Sequence, residues 1–379
     1  MLRYAAVFLI VSLFFFGNHQ GFFLSSAHAQ RLQTEFAVKQ IAQGLKFPWG
    51  MAFLPDGNIL VTERIGQLRI VSPNGQLSEP IQGVPEVFFE QQGGLLDVAI
   101  DPEFSKNRLI YLSYAEPEGN KASTAVARAE LVNGQLKNLQ VIFRQLPKTM
   151  GGVHFGSRLA FARDGNLFIT LGDRGTHAED AQQLDNYFGK IIRIRPDGSV
   201  PSDNPFVKHS NAKPEIWSYG HRSVQGATIH PKTGELWIHE HGPKGGDEIN
   251  IPQAGKNYGW PKACYGSHYD GTPIKDEHAE QGFEEPIHYW TPSIAPSGMA
   301  FYTGNDFPNW RGSLFVGALA GKHVARLTID SNKITSEEQL LANTTRFRNI
   351  KQSPDGTLYL LTDEANGKLL KIVPNAKSQ

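Results

Sequence analysis

Apolar and polar positions recur along this chain in one short unit, repeated six times. The first copy runs from Trp49 to Glu63: an apolar stretch, Pro55-Asp56-Gly57, then Ile59-Leu60-Val61-Thr62. Further copies follow at Leu95–Phe104 with Leu109–Tyr111, Ser157–Thr170, Gln225–Ile238, Ser297–Val316 and Ile350–Thr362. Each reads as a strand, a tight turn and a β-branched or aromatic strand, because Gly takes positive φ at the turn and Pro presets it. Second hairpins are predicted at Gln67–Val71, Lys190–Arg195, His323–Ile329 and Lys368–Val373. No segment sustains a helical period. Four strands per copy and six copies predict an all-β chain, a six-bladed β-propeller of four-stranded antiparallel blades occupying residues 30–379 as one domain. A β-sandwich is the alternative, and six copies would make it far too large. The longer connections, Gly172–Gly189 and Lys256–Pro292, are expected on one face, where they would build a site.

Residues 1–29 stand apart from this pattern. Arg3, the apolar run Ala5–Phe16 and Ala27-His28-Ala29 predict a cleaved secretory signal peptide, with a mature chain starting at Gln30 and exported, to a bacterial periplasm or outside the cell. A single N-terminal membrane anchor is the alternative; the apolar run is short for one. The mature chain is expected to carry no membrane span. Its one cysteine, Cys264, permits no internal disulfide. Lys plus Arg (37) balance Asp plus Glu (37), which argues against nucleic acid or an anionic membrane as partner.

Candidate chemistry concentrates from His239 to Pro261, H-E-H-G-P-K-G-G-D-E-I-N-I-P-Q-A-G-K-N-Y-G-W-P. Asp247 and Glu248 offer carboxylate oxygens, and Gly242 and Pro243 offer backbone carbonyls. Oxygen donors without thiolates suit Ca²⁺ better than Zn²⁺ or copper. A polar loop on a β-protein is the alternative. His154, just before the third copy, is placed to face the central channel, and imidazole suits proton abstraction near neutral pH. With 13 histidines in the chain, a structural role stays open. Asp173, in Leu171-Gly172-Asp173-Arg174-Gly175, either orients that base or caps a turn. Alternation in Thr345-Arg346-Phe347-Arg348-Asn349 puts both arginines on one face and Phe347 on the other, a pairing suited to an anion.

G-P-x-x-x-D-E-I-N followed by N-Y-G-W-P resembles the soluble sugar dehydrogenases that use pyrroloquinoline quinone (PQQ), and more narrowly their aldose sugar dehydrogenase branch. The resemblance covers roughly residues 38–373. It implies that His154 is the general base, with Asp173 beside it. It implies that Arg222, in Tyr219-Gly220-His221-Arg222-Ser223, bonds the quinone oxygens. Ser223 stands where many members have Asn. Arg346 and Arg348 would bind the carboxylates of PQQ. Gln92 aligns with a glutamine near substrate and cofactor, with Gln91 one residue away. Lys322 stands two residues beyond the family's usual lysine position, here Ala320. Tyr269 matches an aromatic residue near the cofactor. Gly242 and Pro243 would hold a Ca²⁺ that also touches PQQ, and Glu248 with the Tyr258 carbonyl would hold a second one.

The implied reaction is oxidation of the anomeric hydroxyl of an aldose to a lactone, with hydride passing from C1 to PQQ and electrons leaving to an external acceptor. Two rivals remain on the same fold: a Ca²⁺-dependent lactonase, which needs a central cage of acids, and a non-catalytic ligand-binding propeller.

Overall fold

The computed structural model of the chain describes residues 36–375. The signal-peptide reading of residues 1–29 lies outside them. Six antiparallel sheets follow one another around an axis, and a small two-stranded ladder, Lys244–Gly245 with Gly266–Ser267, decorates the fourth. The inner strands are Pro48–Phe53, Leu95–Ile100, Gly156–Phe161, Val224–Ile229, Pro296–Phe301 and Phe347–Gln352, here numbered blades 1 to 6. Each inner strand neighbours the next, and blade 6 meets blade 1. The ring is closed by sequence-distant pairing: Phe36–Leu45 is the outermost strand of blade 6, against Gly367–Pro374. The fold is the six-bladed propeller that the repeats predict.

One detail differs from the expected pattern. Blade 1 has three regular strands rather than four. Its fourth position is taken by an irregular segment that touches Val71 through Leu77 and bonds back through the Ser78 and Ile81 amides to Ile70 and Leu68. Gly75 and Pro80 interrupt a regular ladder there.

Each blade buries both faces, so its strands read as nearly continuous apolar runs. Leu60, Leu68, Leu95, Val98 and Leu112 fill the space between blades 1 and 2. Similar cores join blades 2 and 3 around Tyr111 and Leu159, and blades 5 and 6 around Phe315 and Phe347. At about 25 cal/mol per Å² of apolar surface removed from water, these interfaces hold the ring together.

The innermost strands face the axis with unpaired backbone edges, and those edges must find partners. Side chains of one blade supply them to the next. Thr62 Oγ1 donates to the Leu96 carbonyl, Ser113 Oγ to Ser157 (2.6 Å), Thr170 Oγ1 to Val224 (3.0 Å), Ser297 Oγ to Arg348 (2.8 Å) and Asn349 Nδ2 to Trp49 (3.3 Å). Arg158 completes the set from the middle of the channel. From blade 3 it donates to the carbonyls of Gln225 in blade 4 (2.8 Å) and Arg348 in blade 6 (3.1 Å), and to Asp97 in blade 2 (3.3 Å). Its guanidinium lies 3.8 Å over the Trp49 ring of blade 1. One fully buried arginine therefore ties five blades.

Candidate active site

The starts of the inner strands and the ends of the second strands come to one face. His154, Arg222 and Arg346 precede inner strands; Asp173, Gly242 and Asp363 follow second strands. The long connections Gly172–Gly189 and Lys256–Pro292 contribute Asp173, Tyr258, Trp260 and Tyr269 to that same neighbourhood through the contacts below.

His154 is held from three directions. Its backbone is left-handed, φ 53°, which is costly for a residue with a Cβ. Gln92 Oε1 accepts its amide at 2.8 Å, and Asp173 Oδ1 lies 2.6 Å from its Nδ1. Gly172 makes this approach possible, since a Cβ there would stand 2.2 Å from the His154 carbonyl oxygen. Asp173 is itself fixed: Oδ2 accepts the Trp260 indole N–H at 2.8 Å and Oδ1 the Gly175 amide at 2.8 Å. Burial pushes the Asp173 carboxyl up, but the hydrogen bond and charge of His154, the Gly175 amide and Arg222 outweigh it and hold it below the usual carboxylate range. An ionised Asp173 keeps the proton on Nδ1 and leaves Nε2 as the acceptor. Nε2 has no partner among the described residues, and the ring is 13% exposed. This is the arrangement that a general base and its orienting carboxylate require.

Arg222 sits beside this pair. It lies over the Trp260 ring at 5.2 Å and donates to the carbonyls of His241 (3.0 Å) and Gly242 (2.9 Å) and to the Tyr269 hydroxyl (3.2 Å). Its Nε is buried without a partner. An unmet charged donor costs several times an ordinary lost hydrogen bond, so it marks a place for a ligand's oxygen. Below it, Glu240 accepts the Arg222 amide (2.6 Å) and the His221 ring (2.8 Å), and His221 reaches Ser218 at 2.9 Å. That Ser–His–Glu order is supportive rather than nucleophilic, because Ser218 and His221 are both fully buried.

Arg346 and Arg348 do share a face, and Phe347 packs in the core. Both forks close on a single carboxylate. Arg346 meets Asp363 Oδ2 at 2.9 and 2.8 Å, and Arg348 meets Oδ1 at 3.1 and 3.0 Å. Burial raises the Asp363 carboxyl, the two arginines lower it further than that, and it is held ionised. Two cations against one anion leave positive charge in excess.

The cation-binding positions are partly engaged. The Gly242 carbonyl already accepts Arg222, which leaves it one lone pair. Gly242 has to be glycine, as a Cβ would stand 2.1 Å from the Gly245 oxygen. Pro243 is half-buried beside it. Asp247 is fully committed within the protein, to the Gly242 amide (3.0 Å), Ser293 (2.7 Å) and the Ala295 amide (2.9 Å). Glu248 is different. Burial first, and then the neighbouring charge of Glu240, push its carboxyl well above the usual range. It lines a cavity of about 10 Å³ with Glu240, Gly242 and Tyr258. Asn250 Oδ1 close by is buried without a donor. Crowded acids and a spare amide oxygen suit a hard cation. Among the described residues no three His, Cys, Asp or Glu side chains converge on one point, so backbone carbonyls and water would complete any such shell.

The remaining positions divide. Gln92 is the glutamine that meets His154; Gln91 instead offers its carbonyl to Arg64. Tyr269 reaches the site with its hydroxyl although its ring is 73% exposed. Ser223 is buried and its hydroxyl accepts Gln225 Nε2 at 3.3 Å, which turns it from the mouth. Lys322 is exposed, in a left-handed backbone conformation, and among the described residues no side-chain hydrogen bond or ion pair joins it to the other site residues. Trp260, Asp363 and Arg64 were not singled out from the sequence. Trp260 lies in the N-Y-G-W-P motif; Asp363 and Arg64 each stand one residue beyond a predicted strand, so the strand-end position carried the signal.

The channel mouth thus bears a His154–Asp173 pair beside an arginine-rich wall. A family model described as Glucose / Sorbosone dehydrogenase matches residues 45–371, and the chain belongs to that family. It is 46% identical over 344 residues to the aldose sugar dehydrogenase YliI of Escherichia coli (strain K12), covering 89% of this chain and 92% of that one. Among solved structures, one titled glucose dehydrogenase superposes with a TM-score of 0.86 at 51% identity, over 88% of this chain and 99% of that chain. The PQQ-bound form of an aldose sugar dehydrogenase from Streptomyces coelicolor superposes with a TM-score of 0.76 at 27% identity, over 90% and 99%.

Proposed function

We propose that this protein oxidises the anomeric hydroxyl of aldose sugars to lactones, with PQQ bound at the channel mouth beside Ca²⁺, and hands the electrons to an external acceptor. The observation that carries this reading is the pairing of a free His154 Nε2 with the buried, unpartnered Nε of Arg222. Such a mouth fits a flat ligand rich in carbonyl and carboxylate oxygens, and PQQ carries three carboxylates. PQQ, when bound, supplies the quinone that takes up hydride from the sugar C1.

His154 removes the hydroxyl proton through Nε2 while Asp173 stabilises the imidazolium through Nδ1. Gln92 keeps the imidazole in its strained position. Arg222 would donate to a quinone oxygen, and Arg346 with Arg348 would hold carboxylates. Tyr269 flanks Arg222. Ser223 and Lys322 are weaker members of the set: Ser223 would need to turn from Gln225, and Lys322 to swing in from solvent. The carbonyls of Gly242 and Pro243 would hold a Ca²⁺ next to the cofactor, and Glu248 with the Tyr258 carbonyl a structural one. Ca²⁺ supplies charge that polarises the quinone. The lactonase alternative needs acids converging on the channel, and there Asp97 is taken by Arg158.

Reconstitution tests this. Protein made without PQQ should be inactive, and PQQ with Ca²⁺ should restore aldose oxidation with a dye acceptor. Turnover on NAD⁺ alone, or no activity on any aldose after reconstitution, would sink the reading. Export belongs to the same proposal, and N-terminal sequencing of the released protein should begin at Gln30. Among the described residues no helix is long and apolar enough to cross a membrane.

A further inference from the structure

Arg64 follows the second strand of blade 1, the position that Asp363 holds in neighbouring blade 6. Its guanidinium caps a pair of phenylalanine rings that touch each other, 5.9 Å from Phe47 and 5.5 Å from Phe89, with the ring centroids 6.1 Å apart. It donates through Nε to the Gly93 carbonyl (3.1 Å) and through an Nη to the Gln91 carbonyl. Unlike Arg346 and Arg348, it forms no ion pair among the described residues. The acids near it are committed elsewhere: Glu63 to the Lys46 amide and Arg69, Glu364 to Thr345, Asp363 to the two other arginines. Burial, and then repulsion from Arg348, lower its pKa to about 10, against the pull of Asp363. It stays charged. The Arg64 amide bonds the Phe47 carbonyl (3.1 Å) and the Phe47 amide bonds the carbonyl of Glu364 (3.0 Å), next to Asp363, so three guanidinium groups gather around one carboxylate, partly out of water. Like charges crowd in this way when an anion is meant to lie among them.

We propose that Arg64 is a third arm of the anion-binding wall and bonds a carboxylate of the bound cofactor, an assignment that rests on the PQQ reading above. The same residue fixes the loop that carries Gln92. Occupation of the arginine wall and the posture of the base are therefore joined through one side chain: Arg64 to the carbonyls of Gln91 and Gly93, and Gln92 to the His154 amide.

The test is a titration of apo-protein, in Ca²⁺, with PQQ and with its trimethyl ester, followed by quenching of tryptophan fluorescence. Arg64→Met should weaken binding of the triacid about ten- to a hundredfold, as for other charge-assisted carboxylate bonds. Its affinity for the ester should change by less than about threefold, because the ester offers no charge to lose. An equal loss for both ligands would make Arg64 a loop-holding residue only, and no loss for either would remove it from the site. Should Arg64→Met fail to fold, Arg64→Lys carries the test: it keeps the charge but not the fork, and a several-fold loss confined to the triacid is expected. Wild-type protein that took up no PQQ would bring down the cofactor reading as well; uptake by wild type with unchanged binding in the variant would overturn the Arg64 assignment alone.

Discussion

The channel centre and the channel mouth are built from the same residue type and put it to opposite uses. At the centre, every guanidinium nitrogen of Arg158 finds an acceptor, in the carbonyls of Gln225, Trp49 and Arg348 and in Asp97. At the mouth, Arg222 keeps a buried Nε unpartnered, and Arg346 and Arg348 divide one carboxylate between them. A satisfied buried arginine is cement. An unsatisfied one is a standing cost in the free protein, which a ligand can relieve. Burial alone does not tell the two apart, since Arg158 and Arg222 are both buried.

The sharpest way to break the comparison is to remove the imidazole proposed as the mouth's base. His154→Ala should lose about 10²–10⁴-fold in the rate of cofactor reduction, read by stopped flow with excess sugar, while PQQ binding and melting temperature stay near wild type. Asp173→Asn should lose less, because the base is misoriented but present. Reduction at the wild-type rate in His154→Ala would make it a structural histidine.

The centre should answer in the other currency. Arg158→Met strands Asp97 in a buried site, so a loss of about 3–5 kcal/mol of stability is expected in denaturant unfolding. A variant that melts like wild type but fails to bind cofactor would reverse the roles assigned to centre and mouth.

Next in size are the wall arginines. Arg346→Ala and Arg348→Ala should each raise the PQQ dissociation constant about ten- to a hundredfold, equivalent to about 1.5–3 kcal/mol. Calorimetric titrations indistinguishable from wild type in both would take them out of the site. The cation position is expected to matter less at rest. A chelator should lower the melting temperature of wild type, with a cation at 100 times its dissociation constant contributing about 2.7 kcal/mol. Glu248→Gln should abolish that response.

The smallest effect is on pH. Asp173 and Asp363 both have lowered pKa values in the folded protein. Such groups contribute stability that is fully present above the unfolded carboxylate value of about 4 and is lost as pH falls through the lower folded values. Asp173→Asn/Asp363→Asn protein should therefore show a flatter acid limb in a melting-temperature profile. A profile parallel to wild type below pH 4 would mean that neither carboxylate is held ionised by its partners.

The repeat, the blade count and the face that bears the long connections were legible in the chain, because strand period and Asp-Gly turns are local chemistry. The register of each inner strand follows from the same pattern: Trp49, Leu95, Ser157, Gln225, Ser297 and Ile350 all fall on inner strands. Blade 1 lost its fourth regular strand because edge pairing depends on what Gly75 and Pro80 permit, not on hydrophobic alternation. At the site, His154, Asp173 and Arg222 stood out as candidates only through the family resemblance that their motifs carry. Their further partners did not stand out at all. Asp363 answers two arginines from 15 and 17 positions away. Trp260 reaches Asp173 across 87. Arg158 bonds the carbonyl of a residue 190 positions later. Sequence by itself determined the unit and its number, since a strand's pattern needs only its own residues. Which donors end up spent and which are left for a ligand was decided when the ring closed, because a hydrogen bond is satisfied only by what lies within about 3 Å in space.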